Sequence, residues 1–202
     1  MADSVDGQSF SGKTGGLSRR AVALGLVLNL VAPGVAQAEH PSMVFMRRVA
    51  KDMLNAHRQG TVASFKRAIQ RHADVAGIGD YSLGQYLPKL SGAQRDRYYS
   101  GVANFMARYF AVQSREYPIA KYVLGEATVV EGKNVQVSSK VFLLSGQTYT
   151  VVWRLGWQGG RYRVTDVKVL GFSLTYLQRG IFTSYLSKRG GDVNQLVKAL
   201  NR

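Results

Sequence analysis

The sequence predicts an α+β fold: one curved antiparallel sheet of about four strands, wrapped by helices from both ends of the chain. Three observations predict it. Apolar residues recur at helical spacing up to residue 114 and again from residue 173. Between Pro118 and Gly171 the pattern changes to short runs rich in Val, Tyr, Thr and Trp. Glycine-containing turns separate those runs, which makes antiparallel hairpins the economical connection.

The first element is an address rather than a fold. Residues 1–20 are polar and end in Ser18-Arg19-Arg20, and residues 21–38 carry no charge. The apolar part, residues 21–32, is too short to span a bilayer, which needs about 20 residues. Pro33-Gly34 breaks it, and Ala36-Gln37-Ala38 supplies the small residues a signal peptidase requires. Residues 1–38 therefore read as a secretory signal cleaved after Ala38, and residues 39–202 as a single domain of the periplasm. The paired arginines suit the twin-arginine route, while Ala21-Val22-Ala23 lacks that route's usual lysine and aromatic, so general secretion stays open beside it.

The remaining elements follow in order. Residues 43–58 place Met43, Met46, Val49, Met53 and Leu54 at helical spacing, and Gly60-Thr61 ends this helix and caps the next, 62–72. Residues 74–86 contain three glycines and read as a short helix or turn leading to another, which Pro88 interrupts. Ser91-Gly-Ala-Gln94 is a capping box opening the longest helix, 92–114, on which Tyr98, Val102, Phe105, Met106, Tyr109 and Phe110 form a wide apolar face. Strands are expected at 120–131, 134–144, 148–157 and 161–170, with alternation clearest at Val135-Val137 and at Tyr162-Val164. Helices 173–188 and 193–200 complete the chain, Gly190-Gly191 separating them and Asp192 capping the last.

Composition narrows function. An apolar fraction of 46% supports a hydrophobic core and excludes wholesale disorder. The absence of cysteine removes disulfides, thiolate metal sites and cysteine nucleophiles. The net charge is +15, and loss of Asp3, Asp6, Lys13, Arg19 and Arg20 with the signal leaves +14. Such basicity fits nucleic acid, an anionic membrane or an acidic protein. The positive residues are scattered without a run longer than a pair, which reads as a solvated surface, and export argues against nucleic acid.

Catalytic machinery is not evident. His40, His57 and His72 lie outside metal-ligand spacings and read as surface residues, and no G-x-S-x-G elbow, P-loop or dinucleotide fingerprint is present. No metal site or cofactor is expected. What stands out is aromatic and aliphatic bulk beyond what four modest strands need. It fits either an ordinary core or a cavity for an apolar ligand, and sequence pattern does not separate the two.

The order of motifs resembles the MlaC and toluene-tolerance family of periplasmic phospholipid-binding proteins, over residues 44–200. Tyr81-Ser-Leu-Gly84-Gln-Tyr86 and Leu90-Ser-Gly-Ala-Gln-Arg95 are similar to the stretch before that family's long helix. Phe105-Met-Ala-Arg-Tyr109 with Tyr117 matches its aromatic pattern. The most specific part is Val152-Trp153-Arg154, then Gly160-Arg-Tyr162-Arg-Val-Thr-Asp166-Val, then Leu170-Gly171-Phe-Ser173-Leu, in which Asp166, Gly171 and Ser173 keep a fixed order. Tyr162 replaces the usual Trp, and Gln178-Arg179-Gly180 stands before the final Phe182 where the family has a different Asn- or Arg-containing segment.

The resemblance implies a non-enzymatic carrier with an internal apolar cavity and lipid as cargo. Its implied partners are an outer-membrane lipoprotein complex and the lipid-binding ring subunit of an inner-membrane ABC transporter, in the service of outer-membrane lipid asymmetry. The pocket is expected between sheet and helices, lined by Leu83, Leu87, Val102, Phe105, Met106, Tyr109, Val137, Val141, Leu143, Val151, Trp153, Val169, Leu174 and Leu177. Arg154 and Arg179 are the candidates for a lipid head group. Three alternatives stay open: another cargo such as a hopanoid, an enzyme using Asp166 with Tyr109, or an adaptor with a filled core.

Overall fold

A computed structural model describes residues 39–202 of the chain; the expected signal sequence lies outside the described residues. Six helices surround one five-stranded antiparallel sheet that curves without closing. The α+β expectation is met.

Helix α1 (Pro41–Gln59) starts with proline at its first position, where the missing N–H costs nothing, and ends on Gly60 in the left-handed conformation. Thr61 caps α2 (Val62–His72) by accepting from the Ser64 N–H, and Asp74 caps α3 (Val75–Leu83) through the Gly77 N–H. Pro88 sits in a 3₁₀ turn, Gly84–Lys89, which explains the interruption read there. The Ser91–Gln94 capping box is present, but Gly92–Gln94 forms its own 3₁₀ turn, so α4 runs from Arg95 to Glu116.

The strands β1 (Ile119–Glu131), β2 (Asn134–Leu143), β3 (Thr148–Gln158), β4 (Arg161–Val169) and β5 (Phe172–Ser173) pair in chain order as a meander. The fifth strand exceeds expectation. It is only two residues long, and no period-2 pattern is readable in two residues. Gly159 and Gly160 both have positive φ, 52° and 79°, the backbone a tight hairpin needs to match strand twist. Edge strand β1 slips register against β2 at three places, and β4 carries one irregularity beside Arg154. Such bulges bend and twist the sheet, which gives it its curve.

Helices α5 (Leu174–Ser187) and α6 (Val193–Leu200) return over the sheet and pack on α3 and α4. Packing falls into distinct clusters. Leu83, Tyr98, Val102, Phe182, Leu186 and Leu196 join α3, α4, α5 and α6. Met46 and Val49 of α1 sit on Val135, Val137 and Leu155 of the sheet. Ala103, Ala107 and Ala111 form a small-residue strip along α4 that lets α2 approach with Phe65 and Ala68. A fourth cluster, Val141, Leu143 and Val151, lies at the far end of the sheet.

Candidate functional site

The sheet face is continuous but its covering is not. On β2 the residues Val135, Val137, Ser139, Val141 and Leu143 alternate inward, and Val151, Trp153 and Leu155 do so on β3. Helix α1 covers the end that holds Val135 and Val137. Beyond it the aromatic strip of α4 stands off from the sheet, and two adjoining apolar cavities remain. One, of about 270 Å³, lies among α2, α4, β4 and α5 and is lined by Ile69, Phe105, Met106, Val167, Leu177 and Ile181 among others. The other, of about 640 Å³, lies between α1, α4 and the sheet, against Val141, Leu143, Tyr149, Val151 and Val169. Met53, Tyr109, Phe110, Trp153, Val167 and Leu174 line both. The larger void falls within the range of about 300–1,000 Å³ common for small-molecule sites, and the smaller lies near its lower edge.

The few polar groups in these walls are mostly spoken for. Trp153 donates its indole N–H to Ser139 Oγ at 2.9 Å, which leaves its ring as plain apolar wall. Gln178 donates to Ser82 Oγ at 2.9 Å, and Ser82 in turn donates to the Ile78 carbonyl. His72 Nε2 lies 2.7 Å from Asp52 Oδ2, which also accepts from Arg71. The hydrogen bond from His72 holds the Asp52 carboxyl below the usual carboxylate range, with Arg71 adding to it. Asp166 accepts from the Thr175 N–H at the start of α5. Among the described residues no buried side-chain nitrogen or oxygen lacks a hydrogen-bond partner, so an apolar guest strands none of them.

Of the fourteen residues expected to line a pocket, Phe105, Met106, Tyr109, Val141, Leu143, Val151, Trp153, Val169, Leu174 and Leu177 line one or both cavities. Leu83, Leu87, Val102 and Val137 line neither. Leu83 and Val102 are fully buried in the α3–α6 cluster with Leu87 packed against it, and Val137 is sealed beneath α1. Val102 and Tyr109 share a face of α4 but lie about 10 Å apart along its axis, at 1.5 Å per residue. The one is buried in the α3–α6 cluster, the other borders the cavities. Residues unlisted by sequence also contribute: Val49 and Met53 of α1, Ile69 of α2, and Ile181 of α5. For the two on α1 the methionine stripe of that helix was the readable signal.

The head-group candidates lie elsewhere. Arg154 is exposed on β3 between two inward residues, Trp153 and Leu155, so it points away from both cavities into a separate polar groove with Asp74 and Tyr81. Arg179 lies over the Tyr81 ring at 4.8 Å and donates to the Tyr81 carbonyl. The motif residues shape the backbone. Gly84 ends α3 with φ of 54°, Gly171 turns β4 into β5, and Ser173 caps α5 by accepting from the Tyr176 N–H. Asp166 and Tyr109 border the same cavity, but Asp166 spends an oxygen on the α5 N-terminus.

The histidines need correction. Only His40 is exposed. His72 is buried against Asp52, and His57 is half-buried at the wall of the larger cavity, where its Nε2 accepts from the Ile119 N–H at 2.9 Å. Their spacing is not a metal motif, and among the described residues no group of His, Asp and Glu could hold a metal ion. The buried positions arise because α1 and α2 turn those faces inward, which lone histidines do not announce. Burial pushes the His57 pKa below its ordinary 6.5. The sign follows: an unfolded chain binds this proton more readily, so the stability from neutral His57 is complete above pH 6.5 and lost as pH falls through the lowered value. The melting temperature should decline over that window. In His57→Gln, whose amide oxygen accepts from Ile119 at any pH, the decline should be shallower by differential scanning calorimetry.

Comparison with known proteins agrees with this architecture. The family model described as MlaC protein matches residues 44–202. A solved phospholipid-binding protein from Ralstonia solanacearum, in complex with a phospholipid, superposes with a TM-score of 0.65 at 18% identity, covering 80% of this chain and 96% of that one. At that identity the likeness shows the fold. No curated protein sequence matches the chain.

Proposed function

This chain belongs to the MlaC protein family, and from that premise we propose that it is a periplasmic phospholipid carrier that moves its cargo without chemical change. The observation that carries the reading is the pair of adjoining apolar cavities between α4 and the sheet, about 270 and 640 Å³, sharing six wall residues. The phospholipid in the similarly folded Ralstonia protein supports it.

The energetics suit the role. Each buried methylene is worth about 0.8 kcal/mol, so one acyl chain of ~16 carbons represents roughly 12 kcal/mol against exposure to water. A carrier must offer nearly that much dry lining, or the lipid stays in its bilayer. Transfer to a recipient with a matching cavity is then close to isoenergetic, and no covalent step is needed. In this reading residues 1–38 are removed on export and residues 39–202 are the carrier. Cargo passes between an outer-membrane lipoprotein complex and the lipid-binding ring subunit of an inner-membrane ABC transporter, which maintains outer-membrane asymmetry.

Native mass spectrometry of the protein purified from its host tests the proposal. The expected result is lipid bound near one per protein, with a mass that identifies the cargo; a phospholipid mass supports the proposal and a hopanoid mass redirects it. Protein that carries no lipid and takes none up from vesicles would sink it.

A further inference from the structure

Among the described residues, Leu170 is the one non-glycine residue with positive φ, at 52°. It occupies the first position of the two-residue turn between β4 and β5, where Val169 pairs with Phe172 and Gly171 follows at φ 87°. Two successive positive φ values call for Asn, Asp or Gly, because a Cβ crowds the backbone there. Leucine is a poor choice for the turn. It gains nothing from the core either, since it is 69% exposed. A strained, largely water-facing leucine points to a use beyond core packing.

Its surroundings indicate one. In an antiparallel meander the β2–β3 and β4–β5 turns lie at the same end of the sheet. There Leu144 is 70% exposed and Phe172 66% exposed, beside the α4–β1 junction, where the Leu144 N–H donates to the Pro118 carbonyl. Tyr117, Gln147, Thr148 and Leu170 at this end line the larger cavity, so the apolar tips stand at the end of the sheet that this cavity reaches. The charge around them is net positive. Residues 115–124, 140–150 and 167–176 carry Arg115, Lys121, Lys140 and Lys168 against one acid, Glu116.

We propose that this end of the sheet seats on an anionic bilayer surface, with Leu144, Leu170 and Phe172 entering the acyl region and the three lysines meeting lipid head groups. Protruding tips on separate turns suit a soft phase that deforms around them, where a protein partner would ask for a continuous complementary face. The inference rests on the carrier reading and adds the surface from which cargo enters the cavity.

Co-sedimentation with phosphatidylcholine vesicles, with and without phosphatidylglycerol, tests it on the full purified protein. Partitioning should be more than tenfold stronger on the phosphatidylglycerol vesicles, at about fivefold per lysine near an anionic surface. Phe172→Ser and Leu144→Ser should each weaken it about tenfold, with lipid content by native mass spectrometry unchanged, because neither side chain lines a cavity. Leu170→Asn should weaken partitioning and raise the melting temperature together, two changes of opposite benefit that a purely structural residue does not produce. Equal partitioning on both vesicles, or wild-type partitioning by the Phe172 and Leu144 variants, overturns the docking surface. A protein that retains lipid yet ignores vesicles overturns this inference alone, whereas a protein without lipid overturns the carrier reading.

Discussion

Val151→Glu should strip the protein of its lipid while the neighbouring Thr150→Glu leaves lipid content unaltered. Both substitutions add one carboxyl to β3, one residue apart. Val151 faces inward with Val141 and Leu143 on the wall of the larger cavity, and Thr150 is exposed. A carboxyl at Val151 has no cation within the apolar cluster to pair with, and isolating a charge there costs several kcal/mol. The site lowers that cost by admitting water or by protonating the new acid. Either way the dry surface that holds an acyl chain is lost, and retention should fall at least about tenfold by native mass spectrometry. The Thr150 variant carries the same charge into solvent. Equal lipid content in the two variants would remove the cavity from the account of binding.

The largest stability effect should come from Tyr98. Its ring is fully buried where α3, α4 and α6 meet, and its hydroxyl donates to the Gly79 carbonyl at 2.8 Å. Burial drives its phenol well above the ordinary range, so it remains a donor at every workable pH. Tyr98→Ala removes the ring and the hydrogen bond together, and such a truncation costs about 3–5 kcal/mol. For a domain of this size that lowers the melting temperature by roughly 10 °C. Tyr98→Phe keeps the ring and removes only this hydrogen bond, since the Gly79 carbonyl lies inside α3 and keeps its helical donor, at about 0.5–1.5 kcal/mol. Calorimetry on both separates packing from hydrogen bonding. Lipid content should survive Tyr98→Phe, since Tyr98 lines neither cavity.

The cavity walls were legible unevenly, and the pattern has a cause. Alternation on β2 identified Val141 and Leu143 as inward, and the aromatic spacing on α4 identified Phe105, Met106 and Tyr109. The same alternation named Val137, which faces inward under α1. The same helical spacing named Val102, which is buried in the cluster that joins α3, α4, α5 and α6. Arg154 has the charge a head group asks for, but its inward neighbours Trp153 and Leu155 mean that strand parity sends it to the opposite face.

Elements, turns and caps could be read along the chain because each rests on nearby residues: the capping box at Ser91 and Gln94, the paired glycines at 159 and 160, the change of period after Pro118. Those local rules suffice to build helices and hairpins and to bring the family into view. Whether an inward side chain touches another or borders a void was decided only in three dimensions. Periodicity reports the angle of a residue around its helix or strand, but not its height along the axis or what stands opposite. Helix α1 ends its cover over Val137 and leaves Val141 open. That difference of four residues along one strand, about 13 Å, separates core from cavity.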